Sequence, residues 1–161
     1  MAAFQKAGGD CVVKPLFGSE GRGILRVSEE ELALRVFRTI ERIQAVLYVQ
    51  EFIPHPGWDL RVMVLDGQIL GGMRRYAIDG FRTNVSLGGR SEIAAVSDVE
   101  AEWAKTAASA VGATIAGVDI LYGPGGQGYV IEVNGVPGWK AFRNVTGIDV
   151  ADRLIASLEA K

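Results

Sequence analysis

Asp119, Glu132 and Asn134 are the residues whose types and spacing point most directly to chemistry. Glu132 and Asn134 lie two apart in an apolar, β-branched run, so on a strand their side chains leave the same face. A preceding apolar run, Ile115 to Tyr122, carries Asp119 and is joined to the first by a glycine-rich turn, Gly123 to Gly128. Across such a hairpin Asp119 can reach the other two. Two carboxylates and one carboxamide oxygen form a hard, oxygen-only donor set that suits magnesium and leaves positions for phosphate oxygens and water. The same alternation also fits a solvent-facing polar edge flanked by Val118, Ile120, Ile131 and Val133, and spacing alone does not separate the two.

A second group is Lys14 with the loop Gly18-Ser19-Glu20-Gly21-Arg22-Gly23. A lysine leaving an apolar strand is costly to bury unless an anion meets it, and glycines let backbone N–H groups close around phosphate oxygens. The loop lacks the Gly-Lys-Ser/Thr of a P-loop and the spaced glycines of a dinucleotide fold. A hairpin turn with a snorkelling lysine fits it equally. A third group is the strand end Gln50-Glu51-Phe52-Ile53, followed by Trp58, Asp59 and Arg61. Backbone groups at a strand end can meet an adenine edge, Asp59 can accept from a ribose hydroxyl, and Arg61 and Arg82 can each fork onto phosphate oxygens. Read without ligand, these are a strand terminus and surface charges. His55, between two prolines, reads as a loop residue.

The elements that must position these residues follow from local pattern. A short helix over Ala3 to Ala7 stops at Gly8-Gly9, Cys11 to Pro15 reads as a strand, and Ile24 to Val27 as its partner. Ser28 with Glu31 makes a capping-box pattern ahead of Leu32, Val36, Ile40 and Ile43, which recur at helical spacing and are expected to pack on those strands. Val46 to Ile53 reads as a buried strand ended by Pro54 and Pro56. Asp66-Gly67 between Leu60–Leu65 and Gln68–Arg74 marks a two-residue hairpin. Tyr76 to Ser97 is a long polar loop. Asp98 is placed to cap a helix reaching Gly112 with Trp103, Ala107, Ala110 and Val111 on one face, and Ile148 to Leu158 is an amphipathic helix. The expected class is α+β, with antiparallel hairpins and helices on a sheet face.

Composition narrows the function. The formal net charge of −2 and the scattered Lys and Arg lack the basic stripe of a phosphate-backbone binder, so nucleic acid is not an expected partner. No apolar run nears the roughly 18 residues that span a bilayer, so no membrane partner is expected and the expected location is the cytoplasm. The one cysteine, Cys11, lies beside Val12 and Val13 and reads as a core residue.

Taken in order, VVKPLFGSEGRG, YVQEFI, DLRVMVLDGQ, FRTNVSLGG, AGVDIL and VIEVNGVPGW resemble the ATP-grasp core of RimK-type α-L-glutamate ligases, and the likeness extends to the closing TGIDVA. The resemblance implies ATP and magnesium as cofactors, with manganese as an alternative. It implies that Lys14 holds ATP phosphates under the lid from Gly18 to Gly23, that Glu51, Phe52 and Ile53 form the adenine hinge, and that Asp59 lies near the ribose. It places Arg82, Thr83 and Asn84 in a loop facing the phosphates, Arg61 as a further phosphate contact, and Asp119, Glu132 and Asn134 as the magnesium ligands. Arg61 and Arg82 are thereby the expected catalytic residues.

The family chemistry is attack of a carboxylate on the γ-phosphate of ATP, followed by displacement of phosphate from the acyl phosphate by an amine. It needs positioned positive charge and no protein nucleophile. Glutamate is the expected amino acid, and an arginine-rich set, Arg74, Arg75 and Arg143 with Trp58, Tyr76 and Trp139, either lines the acceptor pocket or is plain surface. The expected division is residues 1–49, part of the central lobe with the phosphate lid, and residues 50–161, the C-terminal lobe with the magnesium site. Compared with the family, an N-terminal α/β domain and the first part of the central lobe are expected to be missing. A homo-oligomer is expected of the full-length form. A non-catalytic ATP-binding fragment, one piece of a split enzyme and an ATP-grasp phosphotransferase remain open beside the ligase.

Overall fold

The computed structural model describes residues 1–15, 21–78, 80–83 and 89–160, which divide into two compact units, Met1–Pro54 and His55–Lys161. In the first unit, helix α1 (Ala2–Lys6) precedes strand β1 (Cys11–Pro15), strand β2 (Leu25–Val27), helix α2 (Glu30–Arg42) and strand β3 (Leu47–Glu51). The strands form an antiparallel sheet in the order β2-β1-β3. Cys11, Val13 and Val27 on one sheet face bury against Phe4, Ala33 and Phe37. Cys11 is therefore the core residue its neighbours suggested.

Three local expectations in this unit are corrected. Helix α2 is preceded by Glu29 with no side-chain cap, so the Ser28 and Glu31 pattern does not form a capping box. The buried stripe of α2 is centred on Ala33 and Phe37; of the expected residues Val36 and Ile40 pack against it, while Leu32 and Ile43 face solvent. The stripe is thus turned by part of a helical step from the one expected. Strand β3 is an edge strand, half-buried at most, and not a buried one.

The second unit contains strands β4 (Trp58–Leu65), β5 (Gln68–Tyr76) and β6 (Arg90–Ala94), helix α3 (Asp98–Ala110), strands β7 (Ile115–Tyr122) and β8 (Gly128–Asn134), and helices α4 (Lys140–Thr146) and α5 (Val150–Glu159). Its antiparallel sheet has the order β6-β5-β4-β7-β8. Asp66 and Gly67 both have positive φ, 47° and 70°, as a two-residue hairpin turn requires. Leu60, Val62, Val64, Ala116, Val118 and Ile120 face α3 and bury against Ala104 and Ala108. Small residues on α3 let the helix approach closely, and Trp103 lies directly over Gly128, where any Cβ would collide with its ring.

The opposite face of this sheet is split. One part, Met63 and Met73, is covered by Phe142 of α4 and Val150 of α5, and the other part is polar. Helix α4 was not anticipated, and β6 lies inside the stretch read as a long loop. The α3 cap is Ser97, not Asp98: Ser97 accepts from the Glu100 N–H at 3.4 Å and its own N–H donates to Glu100 at 2.7 Å, a capping box one residue earlier than expected. Among the described residues no helix is long and apolar enough to cross a membrane.

Candidate functional site

The register of β7 against β8 places Asp119 directly opposite Glu132 and Gly117 opposite Asn134. Opposed residues of an antiparallel pair share a face, as do residues two apart, so all three side chains project from the polar face of the sheet. A bulge makes this possible. The hairpin starts with Tyr122 opposite Gly128 and Ile120 opposite Val130, then skips Ile131. Without the skip Ile131 would face Asp119, and Glu132 with Asn134 would turn to the side covered by α3.

Beneath Asp119 lies a buried charge network. Arg61, opposite Asp119 on β4, donates from Nε and Nη2 to both carboxylate oxygens at 2.7 Å each. Arg75, opposite Asp59, donates to both oxygens of Asp59 at 2.7 and 2.5 Å and also reaches Asp119 Oδ2 at 2.9 Å. The Thr83 hydroxyl donates to Asp59 Oδ2 at 2.7 Å. Asp59, Arg75 and Asp119 are 1%, 4% and 2% exposed, so two arginines and two aspartates neutralise one another out of water. Burial pushes the Asp119 carboxyl upward, but Arg75 and Arg61 outweigh it and hold the group below its ordinary value. The Arg75 guanidinium is lowered by burial and raised more strongly by the two aspartates.

Gly117 gives Arg61 its path. A Cβ there would stand 3.5 Å from Arg61 Cδ and Nε and 2.9 Å from Pro137 Cβ, so the bare backbone accommodates both the arginine stem and the loop after β8.

The donor set suits a hard cation. Asp119 is ionised, and its Oδ1 keeps a lone pair beyond the single Arg61 contact. Asn134 donates Nδ2 to the Gly117 carbonyl at 3.2 Å, with Asp119 Oδ2 at 3.5 Å, so its amide oxygen is the atom that could meet a cation. Glu132 is solvent-exposed opposite Asp119. Among the described residues no three His, Cys, Asp or Glu side chains converge, so a metal here would draw its third protein donor from Asn134.

In the first unit Lys14 is half-buried on β1, opposite Tyr48. Gly21 and Gly23 turn the chain into β2 with φ of 71° and 77°, whereas Gly18 and Ser19 lie outside the described residues. Glu51 ends β3 and is exposed, and Ile53 is half-buried. The Phe52 N–H donates to the Asp10 carbonyl at 3.0 Å. Arg26 stacks on the Phe52 ring, 3.6 Å from its centroid, and is held there by a fork onto Asp10 at 3.0 and 2.6 Å.

The profile of the RimK-like ATP-grasp domain matches residues 5–158. The chain belongs to that family. Within the RimK-like ATP-grasp family it is similar to a probable alpha-L-glutamate ligase of Shewanella pealeana, 37% identical over 156 residues covering 96% of this chain and 34% of that protein. It is also similar to the tetrahydromethanopterin:alpha-L-glutamate ligase of Methanosarcina acetivorans, 34% identical over 94% of this chain and 55% of that one. The chain thus spans between about a third and about half of the curated relatives it matches. Among solved structures, the ATP-grasp ligase PsnB complexed with minimal precursor, Mg and ADP superposes with a TM-score of 0.74 at 28% identity, over 99% of this chain and 48% of PsnB. The fold is ATP-grasp, in the α+β class that the sequence pattern indicated.

For this RimK-like chain the sequence missed two residues of the arrangement and over-grouped others. Arg26 carries no motif signal, and Arg75 neither lines an acceptor pocket nor lies on the surface: it is buried between Asp59 and Asp119. Of the rest of the expected pocket group, Trp58, Arg74 and Tyr76 cluster on the α3 side of the sheet, away from Asp119: Arg74 stacks over Trp58 at 4.4 Å, and Arg74 and Tyr76 both contact Glu92, at 3.8 and 2.5 Å. Trp139 packs by Phe142, and Arg143 pairs with Asp149 at 2.8 Å. Arg82 is exposed two residues before the segment 84–88, which contains Asn84 and lies outside the described residues. His55 accepts the Gly57 N–H at 3.2 Å and is a loop residue.

Proposed function

We propose that this chain is the ATP- and magnesium-binding core of a carboxylate–amine ligase that works through an acyl phosphate, with glutamate as the amino acid joined. The observation that carries the reading is the shared face of Asp119, Glu132 and Asn134 within a family whose curated relatives are named glutamate ligases. Residues 1–49 and 50–161 correspond in this reading to part of the central lobe and to the C-terminal lobe. Asp119, Glu132 and Asn134 would hold magnesium, or manganese in its place, and the bound metal would supply positive charge for the phosphoryl group in transfer.

The remaining roles belong to the chain's own groups. Lys14 and the backbone N–H groups from Gly18 through Ser19, Gly21 and Gly23 bind phosphate oxygens. Glu51, Phe52 and Ile53 meet the adenine. Arg61 and Arg82, with Thr83 and Asn84, orient the phosphates. Asp59, whose two oxygens are taken by Arg75 and Thr83, acts by holding that loop. No nucleophilic side chain is required, because the substrate carboxylate attacks phosphorus and the amine attacks the acyl carbon.

The test is a titration of the chain with a fluorescent ATP analogue with and without magnesium, followed by phosphate release in the presence of glutamate and amine acceptors. Magnesium-dependent binding with free phosphate as product is expected, and no magnesium-dependent binding overturns the site. Phosphate retained on the acceptor would mark a phosphotransferase. A second reading is a nucleotide-binding module without ligase turnover, favoured by tight magnesium-dependent binding with no phosphate released.

A further inference from the structure

Arg75 is the only described side chain that forks onto one buried carboxylate while touching a second, and the two carboxylates belong to different parts of the site. Asp59 receives the Thr83 hydroxyl from the segment that follows β5, next to Arg82. Asp119 is a proposed metal ligand. The contacts Thr83 to Asp59 at 2.7 Å, Asp59 to Arg75 at 2.5 Å and Arg75 to Asp119 at 2.9 Å form an unbroken path of charge-assisted hydrogen bonds through the protein interior.

We infer that Arg75 is a positioning residue that sets the orientation of Asp119 toward the metal and, through Asp59 and Thr83, ties the phosphate-facing loop to that same carboxylate. The inference rests on the magnesium-site reading above. A guanidinium suits this task and an ammonium does not. Its planar fork grips both oxygens of Asp59, and the same Nη2 reaches Asp119, so moving Thr83 and Asp59 moves the donor that aims Asp119. Outer-shell partners of metal ligands typically change metal affinity by about 10–100-fold when replaced.

The test separates geometry from charge. Arg75→Lys keeps the positive charge but loses the fork, so a change in metal affinity reports position and not electrostatics. Thr83→Val removes only the hydroxyl at the far end of the path. Manganese binding to the ADP-loaded chain is followed by electron paramagnetic resonance, with folding checked by circular dichroism and metal-free ADP affinity measured separately. Arg75→Lys is expected to weaken manganese about tenfold, a larger fold-change than it causes in metal-free ADP affinity. Thr83→Val should give a smaller loss in the same direction, and the double variant no more loss than Arg75→Lys alone.

Unchanged manganese affinity in folded Arg75→Lys, or full additivity in the double variant, overturns the inference. If Arg75→Lys does not fold, Thr83→Val decides alone, and wild-type manganese affinity in it overturns the coupling. A wild-type chain that binds no manganese with ADP would instead overturn the magnesium-site reading itself.

Discussion

Gly117→Ala probes how closely the site is packed, because the added methyl group meets two functional neighbours at once. Gly117 has no left-handed φ, so alanine is free of backbone strain and the effect is purely steric. Its Cβ would lie 2.9 Å from Pro137 Cβ, where carbon atoms prefer roughly 3.5–4.0 Å, so the loop after Asn134 must retreat by well over half an ångström. The Arg61 stem at 3.5 Å has no room to move the other way without leaving Asp119. Overpacking of this kind costs about 1–3 kcal/mol, or roughly 2–12 °C of melting temperature for a chain of this size.

Gly138→Ala is the control, since a Cβ there meets nothing within 4 Å in the same loop. Melting of the two variants with and without Mg·ADP provides the assay. Gly117→Ala should melt lower and lose most of the magnesium-dependent gain, and Gly138→Ala should match the wild type. A Gly117→Ala protein with wild-type melting and an intact magnesium gain would refute the packing argument.

Asp119→Asn removes one anion from the buried quartet and leaves Arg61 and Arg75 under-compensated; urea unfolding should show a loss of about 3–5 kcal/mol. Glu132→Gln, at an exposed position, should stay within about 0.5 kcal/mol of wild-type stability while calorimetry shows weakened magnesium-dependent nucleotide binding. The pH response follows from Asp119 being held below its ordinary value: its contribution is present above the unfolded carboxylate value of about 3.9 and is lost only as pH falls through the lower folded value. The stability gap between wild type and Asp119→Asn should therefore stay constant from neutral pH to about 4 and close below it, as read from unfolding curves across that range.

Strand and helix existence was legible because it follows from local pattern. The boundaries of β1 and β7, the Asp66-Gly67 turn and the body of α3 could be read from period and turn chemistry. So could the pairing of Glu132 with Asn134, because residues two apart on a strand share a face wherever the strand lies. The ordered motifs carried the family, since their residue types and order are written in the chain itself.

Faces and partners across strands were decided only in the tertiary structure. A two-residue turn continued without interruption would pair Asp59 with Arg74, but β5 skips Leu70 and puts Arg75 there instead. The skip leaves Gly71 beneath Phe142, where a Cβ would come within 3.3 Å of the ring, so the residue there meets a helix about 70 residues further along the chain. The skip at Ile131 likewise turns Glu132 toward Asp119. Side chains alternate with a period of two, so one extra residue reverses every face beyond it. Whether that residue is inserted depends on long-range packing and strand pairing, which local sequence does not encode.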